Sequence, residues 1–127
     1  MEKKQKSKRV LVIEDDSFLV RAYQIKFGKV GLETVVATNA DEVDEILKGA
    51  PPAVILLDLM LPGVSGFDIL ELIKRKSGWG EVPVVIVSNL SQAEDIEKGK
   101  KLGAVDYIIK ANAKVSEIAE KIIAYTE

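Results

Sequence analysis

Polar residues of complementary charge follow four of the apolar runs in this sequence. Three carboxylates, Glu14, Asp15 and Asp58, come directly after such runs, as do the hydroxyl of Ser88 and the ammonium of Lys110. Carboxylates that crowd together repel one another, so they either take up protons or recruit a cation. Hard oxygen ligands favour Mg²⁺, which binds one or two carboxylates and keeps several waters. The set therefore predicts a magnesium site that can neutralise a phosphoryl group.

The same residues suit phosphoryl transfer to a carboxylate. A carboxylate can act as the nucleophile, while Lys110 and Ser88 can bind the oxygens of the transferred group. Taken singly, each residue also has a structural interpretation, because an aspartate after a strand is usually a turn residue or a helix cap. Asp16 and Ser17 are explained in that way and are left out of the site. The functional interpretation depends on four strand ends that present complementary groups together.

Five short runs rich in apolar and β-branched residues must position these groups. They are Val10–Ile13, Thr34–Ala37, Ala53–Leu57, Val82–Val87 and Val105–Ile109. Unbroken runs of valine, isoleucine and leucine indicate strands that are buried on both faces. The segments between the runs are long enough for the helical crossovers that parallel strands require. The pattern predicts an α/β fold of the (βα)5 type, in which ligands bind at the carboxyl ends of the strands.

Helical spacing and cap signals occur between the runs. One helix face near the C-terminus carries apolar residues at i, i+3, i+4, i+7 and i+8: Val115, Ile118, Ala119, Ile122 and Ile123. Asn39 with Glu42, and Ser91 with Glu94, resemble capping boxes. The helix after Ser91 is the weakest, because Gly99 interrupts it and glycine costs about 1 kcal/mol relative to alanine. We therefore expect that helix to be a moving part.

The composition is typical of one globular domain. The 127 residues are 47% hydrophobic and 30% charged, with 18 basic and 20 acidic side chains. The net charge of −2 does not suggest a basic surface for nucleic acid. Cysteine and histidine are absent from the sequence, which excludes disulfides, thiolate or imidazole metal ligands and a phosphohistidine. No apolar run is long enough for a membrane span or a secretory signal, so a cytoplasmic protein is expected.

Four segments resemble the receiver domain of bacterial two-component response regulators, in the single-domain form of the chemotaxis regulators. They read VLVIEDD, VILLDLMLPGVSG, VPVVIVSN and LGAVDYIIK, and the resemblance extends over about residues 8–125. The run D-x-x-x-P-G-x-x-G that begins at Asp58 is specific to this family. The resemblance implies a doubly wound, five-stranded parallel sheet of flavodoxin-like order 2-1-3-4-5 in residues 9–127. Residues 1–8 are expected to be a disordered polar leader.

The resemblance also implies a role for each acidic residue. Asp58 resembles the phosphoacceptor, which would receive a phosphoryl group from a sensor histidine kinase or a histidine phosphotransfer protein. Glu14 and Asp15 resemble the acidic pair that binds Mg²⁺, Asp15 directly and Glu14 partly through water. Asp58 and the backbone carbonyl of Met60 would complete the protein ligands of the metal.

The phosphorylated form would differ from the free form at a partner surface. Lys110 and Ser88 would contact the phosphoryl group, and Ser88 would move towards it. Tyr107 lies at the aromatic switch position of the family, although a half-buried strand aromatic is the alternative interpretation. The surface of the fourth helix, fifth strand and fifth helix would then change, for a downstream protein effector or for a phosphorelay. The chain would not be an enzyme beyond its own phosphorylation and slow dephosphorylation. Dephosphorylation is expected to be slow because the side chains of Met60 and Leu90 cannot orient a water.

Three positions stand out beside the matching segments. Ala111 follows the lysine where the family usually has a proline, and a trans bond is expected because a cis bond there costs about 2.5 to 4 kcal/mol. Asn89 replaces a small residue and is expected either to narrow access to Asp58 or to bind the phosphoryl group. Trp79 is expected to fold back on the third helix, with an exposed partner anchor as the alternative.

Other function classes are also open. A metal-dependent phosphatase with an aspartate nucleophile needs a second acid two residues after Asp58, where this chain has Met60. A flavodoxin-like cofactor binder needs a Ser, Thr or Gly loop after the first strand, where Glu14 opens an acidic one. A pseudo-receiver that is never phosphorylated stays open because Ala111 replaces proline. No DNA-binding segment follows Tyr125, so output through protein contact by a monomer or a phosphorylation-dependent homodimer is expected; a receiver excised from a larger regulator is the alternative.

Overall fold

Five parallel strands form one sheet in the computed structural model, which describes residues 7–127. The strands are β1 (Arg9–Ile13), β2 (Glu33–Ala37), β3 (Val54–Leu57), β4 (Val84–Ser88) and β5 (Asp106–Ile109). Their order across the sheet is β2-β1-β3-β4-β5, which confirms the predicted doubly wound, flavodoxin-like topology. β3 and β4 are buried at every position, as their unbroken apolar runs predicted.

Five helices cover the two faces of this sheet. They are α1 (Ser17–Gly28), α2 (Ala40–Ile46), α3 (Gly66–Arg75), α4 (Ala93–Lys101) and α5 (Val115–Ala124). Because successive strand residues point to opposite faces, Leu11 and Ile13 pack in the cluster with α2 and α3, whereas Val10 and Val12 pack with α1 and α5. Across residues 7–127, none of the helices has the length and apolar character that a membrane span requires.

Two short elements lie between these helices and strands. A hairpin after β3 pairs Met60–Leu61 with Val64–Ser65, and a 3₁₀ turn at Lys110–Asn112 follows β5. The predicted leader, residues 1–8, lies outside the described residues except for its last two. Of these, Lys8 accepts a backbone hydrogen bond from the Glu33 amide at 2.8 Å.

The helix starts confirm two of the cap predictions and contradict a third. The Asp16 carboxylate accepts hydrogen bonds from two amides in the first turn of α1. The Asn39 side chain accepts from the Glu42 amide at the start of α2, but the Glu42 side chain accepts from the Thr38 amide, so only half of the predicted capping box is present. The predicted cap at Ser91 is wrong, because Gln92 is the residue that precedes α4 and it makes no side-chain cap bond. The first turn of α4 is therefore held without the side-chain acceptor that the sequence suggested.

Trp79 is buried in the loop between α3 and β4, with 1% of its surface exposed. It belongs to the same apolar cluster as Ile73 of α3 and Val82. Gly78, directly before it, has a φ of +85°, a conformation that glycine adopts without strain. The prediction that Trp79 folds back on α3 is confirmed, and the alternative of an exposed anchor is wrong.

Gly99 is buried where α4 packs on the sheet. The sequence pattern indicates only an interruption that weakens the helix and does not predict the contact. A Cβ at Gly99 would lie 2.6 Å from Cδ1 of Ile86 and 3.2 Å from Cδ2 of Tyr107. Glycine therefore allows α4 to approach β4 and β5 more closely than a residue with a side chain would.

We expect Gly99→Ala to lower the free energy of unfolding by about 1 to 2 kcal/mol, because overpacking this contact outweighs the gain in helix propensity. Gly28→Ala is the matched control, since a Cβ at Gly28 in α1 meets no atom within 4 Å. The control is expected to raise stability by up to about 1 kcal/mol. Urea unfolding followed by circular dichroism measures both variants, and equal effects would contradict the packing role of Gly99.

Candidate functional site

The predicted site residues lie together at one edge of the sheet. Glu14 and Asp15 follow β1, Asp58 follows β3, Ser88 ends β4 and Lys110 follows β5. Because all five strands are parallel, these positions share the carboxyl-end edge. The strand order reverses between β1 and β3, and ligands in open α/β sheets bind at such a switch point.

Lys110 lies between two buried carboxylates. Its Nζ is 2.5 Å from Oε1 of Glu14 and 2.8 Å from Oδ2 of Asp58. Burial alone would lower the pKa of the Lys110 ammonium, but the close contacts and charges of Asp58 and Glu14 outweigh it and raise that pKa. Lys110 is therefore protonated at neutral pH and supplies a positive charge between the two buried carboxyl groups.

Glu14 is the most enclosed acid of the site, with no exposed surface. Burial raises the pKa of its carboxyl and the charge of Asp58 adds to the increase, whereas Lys110 and the Asp16 amide oppose it. Its Oε2 accepts hydrogen bonds from the amides of Asp15 and Asp16, at 3.0 and 3.1 Å. Oε1 is the oxygen that faces Lys110, so a cation that contacted Glu14 directly would compete with this ammonium.

Three carboxylates of the site could hold a metal ion. Glu14, Asp15 and Asp58 each present one oxygen, and these oxygens lie within 4.8 Å of one another. Asp15 is exposed, whereas the other two are buried. The Met60 amide donates to Oδ1 of Asp58 at 3.0 Å, which orients this carboxylate. A cluster of three acids beside the Lys110 ammonium keeps negative charge for a cation, and its donors are all hard oxygens of the kind that Mg²⁺ prefers.

Ser88 and Tyr107 are linked through the loop that follows β4. Ser88 is fully buried, and its Oγ accepts a long hydrogen bond of 3.4 Å from the Leu90 amide. Tyr107 is half-buried, and its hydroxyl donates to the Leu90 carbonyl at 2.5 Å. Burial, together with the charges of Asp95 and Asp58, raises the pKa of Tyr107 to about 12. The Tyr107 hydroxyl is therefore protonated at neutral pH and can donate this bond.

Asn89 and Ala111, the two departures from the family pattern, contact each other. Oδ1 of Asn89 accepts a hydrogen bond from the Ala111 amide at 3.0 Å. The bond between Lys110 and Ala111 is trans, as predicted, since residues 7–127 contain no cis peptide bond. Sequence reasoning missed the contact because it considered the two positions separately. Ser88 pairs with Ile109 in the strand register, so Asn89 lies near Lys110 and Ala111, and this register is known only from the structure.

The glycines of the run that begins at Asp58 have a structural reason. Gly63, in the hairpin, has a φ of +74°, which favours glycine. Gly66 is the first residue of α3, and a Cβ there would lie 2.4 Å from Cα of Leu59 and 3.0 Å from the carbonyl oxygen of Asp58. The start of α3 is thereby packed directly against the backbone that carries Asp58.

One family model and several curated proteins are similar to this chain in sequence. The family model described as the response regulator receiver domain matches residues 10–123. The DNA-binding response regulator MtrA of Mycobacterium tuberculosis (strain ATCC 25618 / H37Rv) is 33% identical over 102 residues, 80% of this chain and 43% of that protein. The probable transcriptional regulator ycf27 of Porphyridium aerugineum is 30% identical over 102 residues, 80% of this chain and 41% of that protein. The chain spans less than half the length of these curated relatives.

Solved structures share the fold. The Francisella response regulator 1452 receiver domain is 27% identical with a TM-score of 0.81, covering 93% of this chain and 95% of that one. The phosphorylated cyanobacterial phytochrome response regulator RcpA is 27% identical with a TM-score of 0.79, covering 93% and 90%. The Mn²⁺-bound form of response regulator Rcp1 reaches a TM-score of 0.83 at 21% identity, covers 94% of both chains and shows the fold alone.

Proposed function

Because this chain belongs to the response regulator receiver domain family, we propose that it is a phosphorylation-dependent switch whose phosphoacceptor is Asp58. Receiver domains are signalling switches of two-component systems, and their partners are histidine kinases. The observation that carries the assignment is the pair of contacts on the Asp58 carboxylate. Lys110 binds Oδ2 at 2.8 Å, and the Met60 amide binds Oδ1 at 3.0 Å.

The chemistry of this carboxylate fits phosphoryl acceptance. An oxygen of Asp58 attacks the phosphorus, while the bond from phosphorus to the leaving group of the donor breaks. An acyl phosphate adds about 1.5 to 2 negative charges at neutral pH. The Lys110 ammonium, already between Asp58 and Glu14, can follow that charge onto the phosphoryl oxygens.

We assign Mg²⁺ to the same cluster. Asp15, Asp58 and the backbone carbonyl of Met60 would bind it directly, and Glu14 would act partly through water. The contacts of Glu14 support the indirect role, because its Oε2 accepts two amides and its Oε1 faces Lys110. When bound, Mg²⁺ would neutralise charge on the transferred phosphoryl group.

Ser88 and Tyr107 are proposed to transmit the change. The long bond on Ser88 leaves its hydroxyl free to turn towards a phosphoryl group, and the loop that includes Leu90 would move with it. The Tyr107 hydroxyl would then lose or follow its acceptor on Leu90. The surface of α4, β5 and α5 would differ between the two forms, for a protein effector or for phosphorelay to another protein's histidine. We expect no nucleic acid to bind this chain itself, because its net charge is −2.

We expect dephosphorylation to be slow. Met60 is 54% exposed beside Asp58, and its thioether side chain cannot act as a base towards water. Leu90, two residues after Ser88, is apolar too. The phosphoryl group would therefore stay on Asp58 until a partner protein removes it.

The test is incubation with acetyl phosphate and Mg²⁺, followed by intact mass measurement. We expect one phosphoryl group on the wild type and none on Asp58→Ala or in the presence of a chelator. Asp68→Ala is the matched control, because Asp68 is an exposed carboxylate in the first turn of α3, and it should retain the adduct. An adduct on Asp58→Ala, or none on a folded wild type, would contradict the assignment. The decay of the adduct after donor removal gives the dephosphorylation rate.

A further inference from the structure

The loops that follow β4 and β5 are joined by one side-chain hydrogen bond that the proposed chemistry does not use. Asn89 lies directly after Ser88, and Ala111 lies directly after Lys110. The bond from the Ala111 amide to Oδ1 of Asn89 is 3.0 Å long. It therefore connects the residues next to the hydroxyl and the ammonium of the site.

The Ala111 amide needs a partner from outside its own turn. Ala111 is the second residue of the 3₁₀ turn Lys110–Asn112, and the first amides of a helical turn have no acceptor within it. A proline at such a position has no N–H, so no acceptor is needed there. Here the amide is present, and Asn89 supplies the acceptor from the neighbouring strand end.

The hydrogen bond from the Ala111 amide to Asn89 is shorter than the hydrogen bond within the turn itself. The internal bond of the turn, from the Ala113 amide to the Lys110 carbonyl, is 3.3 Å, which is longer than the usual range. Asn89, in contrast, is held on both sides. Ser88 before it is a buried strand residue, and the carbonyl of Leu90 after it accepts from the Tyr107 hydroxyl. Its acceptor oxygen is therefore anchored where the Ala111 amide can reach it.

Lys110 is the first residue of this turn, so the orientation of the turn decides where its side chain starts. We propose that Asn89 is a positioning residue for the phosphoryl site. By accepting from the Ala111 amide, it holds the turn that keeps the Lys110 ammonium on Glu14 and Asp58. This inference rests on the proposed role of Lys110 at the phosphoacceptor Asp58.

The test compares wild type, Asn89→Ala and Asn112→Ala. Asn112 is the matched control, because it is an exposed asparagine in the same turn. We expect Asn89→Ala to slow phosphorylation by acetyl phosphate about two- to tenfold, which corresponds to the net free energy of one hydrogen bond. Hydrogen exchange of the Ala111 amide, followed by NMR, should accelerate in the same variant. Asn112→Ala should leave both quantities at the wild-type value.

Calorimetry of Mg²⁺ binding distinguishes positioning from general damage. An ammonium that leaves the carboxylates no longer competes with the cation, so Asn89→Ala should bind Mg²⁺ about two- to threefold more tightly than wild type. The same substitution should change nothing in the Lys110→Met background. Weaker binding in both backgrounds, or a phosphorylation rate equal to that of Asn112→Ala, would overturn the proposal. A wild type that accepts no phosphoryl group would contradict the proposed function, while the calorimetric comparison would still decide the role of Asn89.

Discussion

Lys110→Met is expected to slow the phosphorylation of Asp58 by acetyl phosphate at least about 100-fold, the effect of removing one preorganised donor from a site that stabilises developing charge. Methionine keeps an unbranched side chain that is one atom shorter, but it has no ammonium. The contacts of 2.5 Å to Glu14 and 2.8 Å to Asp58 would both be lost. The initial rate of adduct formation by intact mass measures the effect, and a rate within about threefold of wild type would contradict it.

The same substitution should lower the free energy of unfolding by about 3 kcal/mol at neutral pH without Mg²⁺, because two buried carboxylates lose their counter-charge. Burial already raises the pKa of Glu14, and removal of the Lys110 ammonium would raise it further. A carboxyl whose pKa is higher in the folded than in the unfolded state destabilises the fold increasingly as the pH rises above the unfolded pKa. The destabilisation is complete above the folded pKa. The carboxyl has no effect below 4.5, its ordinary pKa, where both states are protonated.

The stability difference between wild type and Lys110→Met should therefore narrow as the pH is lowered from 7.5 towards 4.5. Urea unfolding followed by circular dichroism at both pH values measures it. Lys48→Met is the matched control, because Lys48 contacts Glu45 at the same 2.8 Å but is 70% exposed. An exposed pair contributes at most about 1 kcal/mol. If the two variants lost the same free energy of unfolding, the burial of the Lys110 contacts would not contribute to stability.

Gly66→Ala is expected to lower the free energy of unfolding by about 3 kcal/mol or more. A Cβ at this position would lie 2.4 Å from Cα of Leu59, and a backbone atom cannot rotate away as a side chain can. Relief of this overlap would displace the backbone of Leu59 and of Asp58 beside it. We therefore expect slower phosphorylation as well as lower stability, measured by acetyl phosphate labelling and urea unfolding.

Gly49→Ala is the control for Gly66→Ala. A Cβ at Gly49 would meet the Ile46 carbonyl at 3.6 Å, an ordinary contact. This variant should change stability by less than about 1 kcal/mol and leave the phosphorylation rate unchanged. If both alanine variants unfolded at the same urea concentration, the tight contact at Gly66 would have no energetic importance.

Much of the fold could be predicted because the strand runs are distinctive. The apolar runs gave all five strands of the sheet, with errors of one or two residues at their starts and of one residue at the end of β4. The run from Val82 enters the strand only at Val84, because Pro83 accepts a hydrogen bond from the Ile55 amide but has no amide of its own to donate. The hairpin at residues 60–65 was not predicted, since strands of two residues are too short to carry a periodic pattern.

The clustering of the candidate site residues was predictable for a similar reason. Parallel strands bring their carboxyl ends to one edge, so residues that follow different strands had to meet there. What could not be predicted depends on side-chain reach and on packing between elements. The contact of Asn89 with Ala111 needs the register of β4 and β5, and the burial of Gly99 needs the position of α4 on the sheet.

Trp79 is an intrinsic fluorescent probe for the folding of this chain. It is the only tryptophan in the sequence and lies in the apolar cluster before the start of β4. β4 is about 13 Å long at the rise of a parallel strand, and Ser88 and the proposed phosphoryl site lie at its other end. Indole fluorescence should therefore shift when the core opens to water and stay constant when charge is added at Asp58. One optical signal can thus separate a variant that unfolds from a variant that only fails to be phosphorylated.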